Sequence, residues 1–549
     1  MELKAVAAAV LVAACLPRTS GAQADRLRAL APNHRGIVFT QLPTRTPLDG
    51  QGARLVLLGP DGATRVLSSG FHSAADPEVS FDGRRVLFAG KKTASDNWNI
   101  YEMETGGTGF RQITRGLGDC RGPAYQSSFY VLDGQPWYQI TFVSAASGEL
   151  NEHAAVPATS LYSIKLDGSS VRRLTFNPSS SLDPHMLPDG RVLFAAWDRP
   201  QRMALFGVHL DGTDFALFSA QEGRSIKRMP CVTTGRLVVF VETDKLPGDG
   251  GGCLSSVSLR RNLHSYRRIT AEKDGLFHSP SPLPDGSILV SRRPSGAAGT
   301  HGICRLEPAT GRFELLFDDP DHHDVQAKLI HPRSEPDGHS SVVDEKDPTG
   351  KLYCLNVYTS DVEMPAGAAR RLRVLEGLPR RAGQAGGLPH TRFLGEIDLD
   401  DDGSFNIQAP ANIPIRLQVL DSSGMALRSS SWIWVKNHEN RGCIGCHEDR
   451  ELTPENVLAK ALMHPSFQLT LPPEKRRTVD YRRDVLPILS RNCATKACHD
   501  AGSFGKYIHP GSARTSPILR RLSPHAGSRP LTQDEKRTII EWIDLGAQQ

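Results

Sequence analysis

The segment Arg441–Arg450 reads RGCIGCHEDR and carries the spacing with the most specific chemistry in the chain. Within it, Cys443, Cys446 and His447 form the C-x-x-C-H pattern that attaches a c-type haem. Two thiols separated by two residues are expected to lie about one helical turn apart, so both can form thioethers with one porphyrin. The imidazole of His447 then serves as an axial ligand of the iron. Half of a zinc site, or a chance match, is the alternative.

A second Cys/His motif lies near the C-terminus and has a longer spacing. Cys493, Cys498 and His499 read C-x4-C-H, a rarer variant of the same attachment pattern. Two such motifs predict two covalently bound haem c groups, with His447 and His499 as iron ligands. Zinc at these positions, or no cofactor at all, is the alternative.

The N-terminal residues 1–24 predict a secretory signal peptide. Lys4 precedes the apolar run Ala5–Ala14, and small residues end the segment at Ala24. The run is shorter than the roughly 20 apolar residues that a transmembrane helix needs. Because Cys15 closes a sequence that resembles a bacterial lipobox, the alternatives are a soluble periplasmic protein and an outer-membrane-associated lipoprotein anchored at Cys15.

An exported chain permits disulfides, and five cysteines stand outside the motifs and the signal peptide. They are Cys120, Cys231, Cys253, Cys304 and Cys354. An odd number cannot all pair within the chain, and Cys231 with Cys253 is the predicted disulfide, with buried thiols as an equal alternative. The net charge of +5 does not indicate nucleic-acid binding.

A repeated β unit must position these motifs. A glycine turn followed by a β-branched run recurs as FDGRRVLFAG (81–90), LDGQPWYQITFV (132–143), LPDGRVLFAAW (187–197), TTGRLVVFV (233–241), LPDGSILVS (283–291) and EPDGHSSVV (335–343). Four short strands per unit predict a mainly β chain with a six- or seven-bladed β-propeller over residues 34–375. A partial unit at 36–68 adds a seventh blade or closes the ring. The repeats resemble TolB/PD40-type propellers.

Three polar clusters could bind metals but are predicted to be structural. Asp321–Asp324 (DHHD) and Asp183–His185 (DPH) are predicted to be loops between blades. Asp398–Gly403 imitates the start of a calcium loop, yet its twelfth position is Ala409 and its flanks read as strands, which predicts a hairpin turn. No catalytic triad or phosphate-binding loop is evident, so catalytic residues are unknown and an enzyme is left open.

Residues 376–470 predict a small antiparallel β domain that ends in the first haem motif. The stretch 325–465, with VQAKLIHPR, TGKLYCLNVY, RRLRVLE, DGSFNIQAPANIPIRLQVLD and RGCIGCHEDR, resembles the middle domain of the hydrazine synthase alpha subunit and its secreted relatives. In that family a propeller, a β-rich domain and a cytochrome domain follow in this order.

The resemblance implies a haem on Cys443 and Cys446 near the propeller, with further subunits. It also implies an iron held by a tyrosine soon after the motif, which leaves the motif histidine to zinc. Here no tyrosine follows His447 before Tyr481, which favours ligation by His447 itself. The opposite face of the iron is either open or occupied by one of three candidates, which are Met463, His464 and His438.

Residues 478–549 predict an α-helical cytochrome c domain. A helix from Tyr481 leads into the second motif, and the capping box Thr532–Glu535 begins an amphipathic terminal helix that Gly546 ends. This layout resembles class I cytochromes c. Because no methionine follows Met463, His525 is the predicted sixth ligand, with His509 as the alternative.

Arginines make this end of the chain basic, which predicts either a solvated face or a docking surface for an acidic redox partner. They are Arg476, Arg477, Arg482, Arg483, Arg520 and Arg521.

Three functions are consistent with the sequence. The leading interpretation is an exported dihaem c-type cytochrome that transfers electrons, with possible redox catalysis at the first haem. The second is a hydrazine synthase-like oxidoreductase acting on small nitrogen compounds. The third is a propeller that binds a ligand or a protein without redox chemistry. An open axial position at the first haem would separate the first two.

Overall fold

The fold is mainly β, and the computed structural model describes residues 21–548 with gaps. The gaps are 45–49, 132–133, 154, 200, 220–221, 246–249, 297–298, 361–362, 381–388, 447–450, 452, 454–455, 494–506 and 522–529. The first described element is helix α1 (Gly21–Arg28), which buries Leu27 against the sheets that follow. Within the described ranges, no helix is both long enough and apolar enough to cross a membrane.

The first two thirds of the chain form six four-stranded antiparallel units among the described residues. Each unit has its innermost strand first in the following series. They are β4 (Ser73–Val79) to β5 (Arg85–Lys91), β6 (Asn99–Glu104) and β7 (Arg111–Gln112); β8 (Cys120–Val131) to β9 (Trp137–Ser144), β10 (Ser160–Lys165) and β11 (Arg172–Arg173); β12 (Ser181–Met186) to β13 (Val192–Arg199), β14 (Arg202–Val208) and β15 (Ala216–Leu217); β16 (Ile226–Val232) to β17 (Leu237–Thr243), β18 (Cys253–Ser258) and β19 (Arg267–Arg268); β20 (Leu276–Pro282) to β21 (Ile288–Arg293), β22 (Gly302–Leu306) and β23 (Phe313–Phe317); and β24 (His322–Leu329) with β1 (Ile37–Pro43), β2 (Arg54–Leu58) and β3 (Thr64–Val66).

The two ends of this region meet in one sheet. Strand β24 pairs antiparallel with β1, which places Ile37 opposite Leu329. The innermost strands β4, β8, β12, β16, β20 and β24 each pack beside the next, and β24 packs beside β4. The partial unit at 36–68 therefore closes a ring, and backbone hydrogen bonds join the start of the ring to its end.

Each innermost strand carries a bulge at the same position. The bulged residues all have positive φ and are Asp76, Gly122, Asp183, Met229, Ser279 and Gln326. Five of them precede proline, which cannot donate to a sheet and so suits a bulge. The side chain of one bulge accepts a hydrogen bond from the backbone N–H of the next, as in Asp76 to Gly122 (3.0 Å) and Asp183 to Met229 (3.1 Å). Repetition of this contact ties neighbouring units together.

The ring ends earlier than predicted. Its last strand finishes at Leu329, and residues 331–338 then cross the turns of two units before β25 (His339–Ser341) pairs in parallel with β8. The predicted boundary at residue 375 is therefore wrong, and EPDGHSSVV is a connection rather than a repeat. Its glycine turn resembles the others, but its strand adds to an existing unit.

Two four-stranded sheets form a sandwich between the ring and the C-terminus. One has the order β32 (Asn440–Cys443), β26 (Thr349–Cys354), β29 (Phe405–Pro410), β33 (Phe467–Gln468); the other has β28 (Thr391–Asp398), β27 (Arg371–Gly377), β30 (Ile415–Leu420), β31 (Ala426–Ser429). They share one apolar core that includes Leu352, Ile407, Val374 and Val419. Asp400–Gly403 is a tight turn as predicted, but it joins strands of different sheets and is not a hairpin.

The C-terminal region packs helices α2 (Leu486–Cys493), α3 (Ile518–Arg521) and α4 (Gln533–Asp544) around Leu489, Ile539 and Ile543. The predicted capping box is confirmed: Thr532 Oγ1 accepts from the N–H of Glu535 at 3.2 Å, and Glu535 Oε2 accepts from the N–H of Thr532 at 3.0 Å. Strands and helices thus follow in the predicted order.

Candidate haem-attachment site

The first Cys/His motif begins on an edge strand of the sandwich. Strand β32 pairs in parallel with β26, which places Cys443 beside Cys354. The carbonyl of Cys443 accepts from the N–H of Leu355 at 2.9 Å, and a bridge then joins Cys446 to Ser360. The predicted helical turn between the two cysteines is wrong, because backbone pairing with β26 and the residues after it holds the segment extended and bent.

Two glycines of the motif allow this close pairing. A Cβ at Gly442 would lie 2.5 Å from the hydroxyl oxygen of Tyr353, and a Cβ at Gly445 would collide with the carbonyl of Thr359. Neither glycine has the positive φ that would demand glycine for conformational reasons. Both are needed for space, so the letters G-C-I-G-C fix the position of the two cysteines against the neighbouring strand.

The environment of the cysteines fits covalent attachment of a porphyrin. Cys443 and Cys446 are both thiols, both half-buried, and both pack against the apolar core of the sandwich. A thioether requires a thiol that a vinyl group can reach, and an edge strand leaves one side of the segment open to a ligand. Cys354 lies beside Cys443 but is buried, so its side chain belongs to the core.

An aromatic contact fixes the motif segment to the ring. Trp434 is fully buried, its ring stacks on Phe215 with centroids 4.1 Å apart, and its Nε1 donates to the carbonyl of Gly212 at 2.9 Å. The guanidinium of Arg441 donates to the carbonyls of Trp434 (3.1 Å) and Phe215. The motif therefore sits at the junction of ring and sandwich, within a few residues of a rigid anchor.

Buried charges lie beside the same anchor. Burial lowers the pKa of Lys436 to about 8, against the opposing effect of Asp211 and other carboxylates, and its Nζ donates to the carbonyl of Arg173 at 3.3 Å. Burial also raises the pKa of Glu439, whose oxygens accept from the N–H groups of Asp214 (2.9 Å) and Lys436 (2.6 Å). These groups pin the turn that leads into β32.

The predicted ligand His447 lies outside the described residues, as do Cys498, His499 and His525. Of the candidates for the opposite face of the first haem, His438 lies before β32 and its Nδ1 is 3.1 Å from Asp347 Oδ2. Met463 is exposed, and His464 Nε2 lies 3.0 Å from Asp400 Oδ2, next to β33 at the opposite edge of the sheet. The structure therefore does not bring Met463 or His464 to the motif.

The second motif begins at the end of a helix. Cys493 is the last residue of α2, and the rest of the motif lies outside the described part of the chain. The alternative ligand His509 is exposed, with its Nδ1 3.1 Å from Thr515 Oγ1. Tyr481 stacks on Trp542 with centroids 5.1 Å apart, which fixes the start of the motif helix against α4.

The predicted basic face is partly neutralised. Arg476 pairs with Glu376 at 2.7 Å and is nearly buried, Arg477 pairs with Glu541 at 2.7 Å, and Arg483 pairs with Asp484 at 2.8 Å. These three arginines serve mainly the packing of the C-terminal region rather than a free cationic surface.

The remaining cysteines and polar clusters are structural. Cys231 and Cys253 are free thiols on strands separated by β17, so the predicted disulfide between them is wrong. Burial raises the pKa of Cys231 to about 12. Asp321–Asp324 and Asp183–His185 lie largely on the innermost strands rather than in loops. Among the described residues no group of three or more potential ligands could hold a metal ion such as zinc.

Sequence reasoning missed the partners that position the motif. Tyr353, Cys354 and Thr359 meet it only through pairing of strands almost 90 residues apart, and no local pattern marks them. Trp434 was part of a predicted strand, but nothing in its surroundings identified the ring as its contact.

Comparison with known proteins agrees with this architecture. Residues 367–448 match the profile of the hydrazine synthase alpha subunit middle domain, a range that includes both cysteines of the first motif. The hydrazine synthase subunit alpha of Kuenenia stuttgartiensis is 23% identical over 93% of this chain and 91% of that protein. The solved Kuenenia stuttgartiensis hydrazine synthase superposes with a TM-score of 0.80 at 22% identity, covering 96% of each chain. TolB from Acinetobacter baumannii gives a TM-score of 0.40 at 16% identity over 55% of this chain and 69% of that chain.

Proposed function

We propose that this chain, which carries a hydrazine synthase alpha subunit-like middle domain, is the haem c subunit of an exported oxidoreductase that acts on small nitrogen compounds. The observation that carries the proposal is the family match over 367–448, which ends on the C-x-x-C-H motif. It favours the second of the three functions over the leading interpretation, a dihaem electron carrier. The similarity in fold extends from the ring to the C-terminal helices.

In this proposal, Cys443 and Cys446 hold the reactive haem by thioethers, and His447 is an axial ligand. The haem supplies an iron that binds a small nitrogen compound and exchanges electrons with it. The chain supplies position: β26 holds the two thiols in register, and Trp434 anchors them to the ring. The apolar core under the cysteines covers one side of the site, which limits the access of water.

The second motif serves as an electron relay. Cys493 and Cys498 hold a second haem c, with His499 and His525 as the two axial ligands, in a C-terminal cytochrome domain. An iron with two histidine ligands has no open position and transfers electrons without binding substrate. Zinc is a further possible metal, at His447, if another residue takes its place on the iron.

The surroundings of the chain follow from the same proposal. The six units of the ring are the blades of a six-bladed propeller that carries the haem-bearing regions. The relative is named as a subunit, so we propose that further subunits and a redox partner protein accompany this chain. The signal peptide 1–24 directs it to the periplasm, either free or attached to the outer membrane through Cys15.

The test is expression in a host that matures c-type cytochromes, followed by intact mass and a hydrazine assay. The proposal expects the mass of two haems and hydrazine formation from small nitrogen compounds when the partner subunits are supplied. It expects the Cys443→Ala/Cys446→Ala variant to keep one haem and to form no hydrazine. A protein that carries no haem, or a variant as active as the original, would overturn the proposal.

A further inference from the structure

A cavity of about 560 Å³ lies at the centre of the ring and has no part in the haem sites. It is lined by the innermost strands and by the turns that follow them, including Phe81, Pro188 and Leu283. In antiparallel four-stranded units, the first and third turns lie on the same side of the sheet. The third turn of one unit contacts Trp434, because Gly212 lies in the turn between β14 and β15. The cavity therefore opens on the side of the ring that carries the sandwich.

The connection that leaves the ring crosses this opening. The N–H of Arg333 donates to the carbonyl of Phe81 at 2.8 Å, and the N–H of Asp337 donates to the carbonyl of Pro188 at 3.0 Å. A Cβ at Gly83 would lie 3.0 Å from His331 and Pro332, so the glycine of the turn lets the connection approach. The result is a roofed pocket rather than an open channel.

Two cations inside the cavity share one carboxylate. Glu78 Oε2 lies 2.8 Å from Lys328 Nζ, and Glu78 Oε1 lies 2.5 Å from Arg333 Nη2. Burial acts to raise the pKa of Glu78, but the two cations outweigh it, so its pKa is lowered and the carboxylate is ionised. One positive charge in this group of three therefore has no internal counterpart.

The electrostatics at a neighbouring histidine report the same positive field. Burial, followed by the charge of Lys328, lowers the pKa of His185 to about 3, so the ring is neutral. Its Nε2 accepts from the N–H of Val232 at 3.2 Å, which places the single proton on Nδ1. His185 lines the cavity, so it offers a neutral N–H donor beside the two cations.

The remaining walls are apolar. Val79, Phe81, Met186, Leu283 and Leu329 line the cavity with several prolines. The guanidinium of Arg333 also lies 4.8 Å from the centre of the Phe81 ring. Pockets for small organic ligands combine apolar walls with a few convergent polar groups in this way, and charge-assisted hydrogen bonds select the ligand's charge.

We propose that this cavity binds a small organic anion. Lys328 and Arg333 hold its carboxylate or other oxyanion group, and the apolar walls hold its carbon body. Glu78 is the internal competitor that occupies the two cations when no ligand is bound. The site is separate from the haem sites and does not rest on the proposed function.

The test is calorimetric titration of the full-length exported protein with benzoate, and with inorganic phosphate as an anion that lacks an apolar body. Benzoate is expected to bind, and more tightly than phosphate. Lys328→Met is expected to weaken benzoate binding at least about tenfold, because a charge-assisted hydrogen bond is lost. Glu78→Gln is expected to tighten it several-fold, because the competitor has lost its charge.

The opposite signs of these two variants exclude a simple loss of folding, and thermal melting checks each variant. Lys273→Met, at an exposed lysine outside the cavity, is the matched control and is expected to bind benzoate as the original does. Diffraction from a crystal soaked in 4-bromobenzoate is expected to show bromine between Phe81 and Leu283. Absence of benzoate binding, equal affinities for Lys328→Met and the control, or weaker binding by Glu78→Gln would overturn the proposal.

Discussion

The sandwich is held at two joints that use opposite chemistry. At the ring, Trp434 is fully buried and stacks on Phe215 at 4.1 Å. At the C-terminal helices, Arg373 is fully buried and faces Asp544 at 3.5 Å and Glu541 at 3.9 Å. The first joint carries the first Cys/His motif, and the second fixes the helices that carry the other.

The difference teaches that the two motifs respond to different variables. Aromatic packing does not depend on pH, whereas a buried carboxylate does. Burial raises the pKa of Asp544 to about 6, although the N–H of Ala513 and the charge of Arg373 act against it. Asp76 in the ring is also buried, but Arg121 at 2.6 Å and the N–H of Gly122 lower its pKa. Distance to the arginine separates the two aspartates, so the C-terminal joint is weaker above its pKa.

The largest expected effect separates the two motifs chemically. Replacing both Cys443 and Cys446 with alanine removes the two thioether sites of the first motif, so one haem per chain is lost while the other is kept. Intact mass and the absorbance of the pyridine haemochrome measure this. Cys354→Ala is the matched control, since Cys354 lies beside Cys443 yet is buried in the core, and it is expected to retain both haems. Loss of a haem in the control would show that Cys354, not the motif, supports attachment.

The aromatic joint is expected to give the next largest effect. Trp434→Ala leaves a cavity between ring and sandwich and should lower the free energy of unfolding by about 3–5 kcal/mol. Chemical denaturation measures it at pH 5 and pH 7, and the loss should be the same at both. Tyr138→Ala, at an exposed aromatic residue of the ring, serves as the control. A strong dependence of the Trp434 effect on pH would contradict the distinction between the joints.

The ionic joint is expected to show the pH dependence. Because Asp544 binds its proton more tightly in the folded chain, its contribution to stability is complete below about pH 4 and is lost as pH rises through about 6. The loss is about 2–3 kcal/mol. Asp544→Asn cannot ionise, so the difference in unfolding free energy between variant and original should shift by this amount between pH 4 and pH 7.

Asp76→Asn provides the contrast for that experiment. The lowered pKa of Asp76 means that its contribution is present above about pH 4 and is lost as pH falls through its folded value. The two variants should therefore change the pH profile in opposite directions. Parallel changes would mean that the two aspartates do not differ as their contacts indicate.

The smallest expected effect concerns the fit of the motif strand. Gly445→Ala forces the backbone away from the carbonyl of Thr359 and should cost about 1–3 kcal/mol of stability. Gly106→Ala is the control, because a Cβ there meets nothing within 4 Å. Denaturation compares the two variants. Equal stability would show that the segment is not held against its neighbour.

Regular, local features of the fold could be predicted from the sequence. The glycine turns between alternating apolar residues identified five repeats, and the letters T-x-x-E identified the start of α4. Where pairing is distant, the same reasoning failed. Strands β26 and β27 read like further ring strands, and only their pairing with β29, β30 and β32 assigns them to the sandwich.

The candidate site divides in the same way. The chemistry of Cys443 and Cys446 follows from their spacing, which local sequence contains. Their extended geometry follows from Tyr353, Cys354 and Thr359, whose approach depends on the fold of the whole domain. The pairing of Glu78 with Lys328 and Arg333 joins the first and last ring units, so no sequence window could reveal it.

The central claim is an open, reactive haem at Cys443 and Cys446, and a carbon monoxide difference spectrum tests it most directly. The variant Cys493→Ala/Cys498→Ala, matured in a cytochrome c-producing host, isolates the first haem. We expect one haem by mass, a high-spin component in the reduced spectrum, and a shifted Soret band on addition of carbon monoxide. A single low-spin haem that does not bind carbon monoxide would contradict the claim and make the chain an electron carrier.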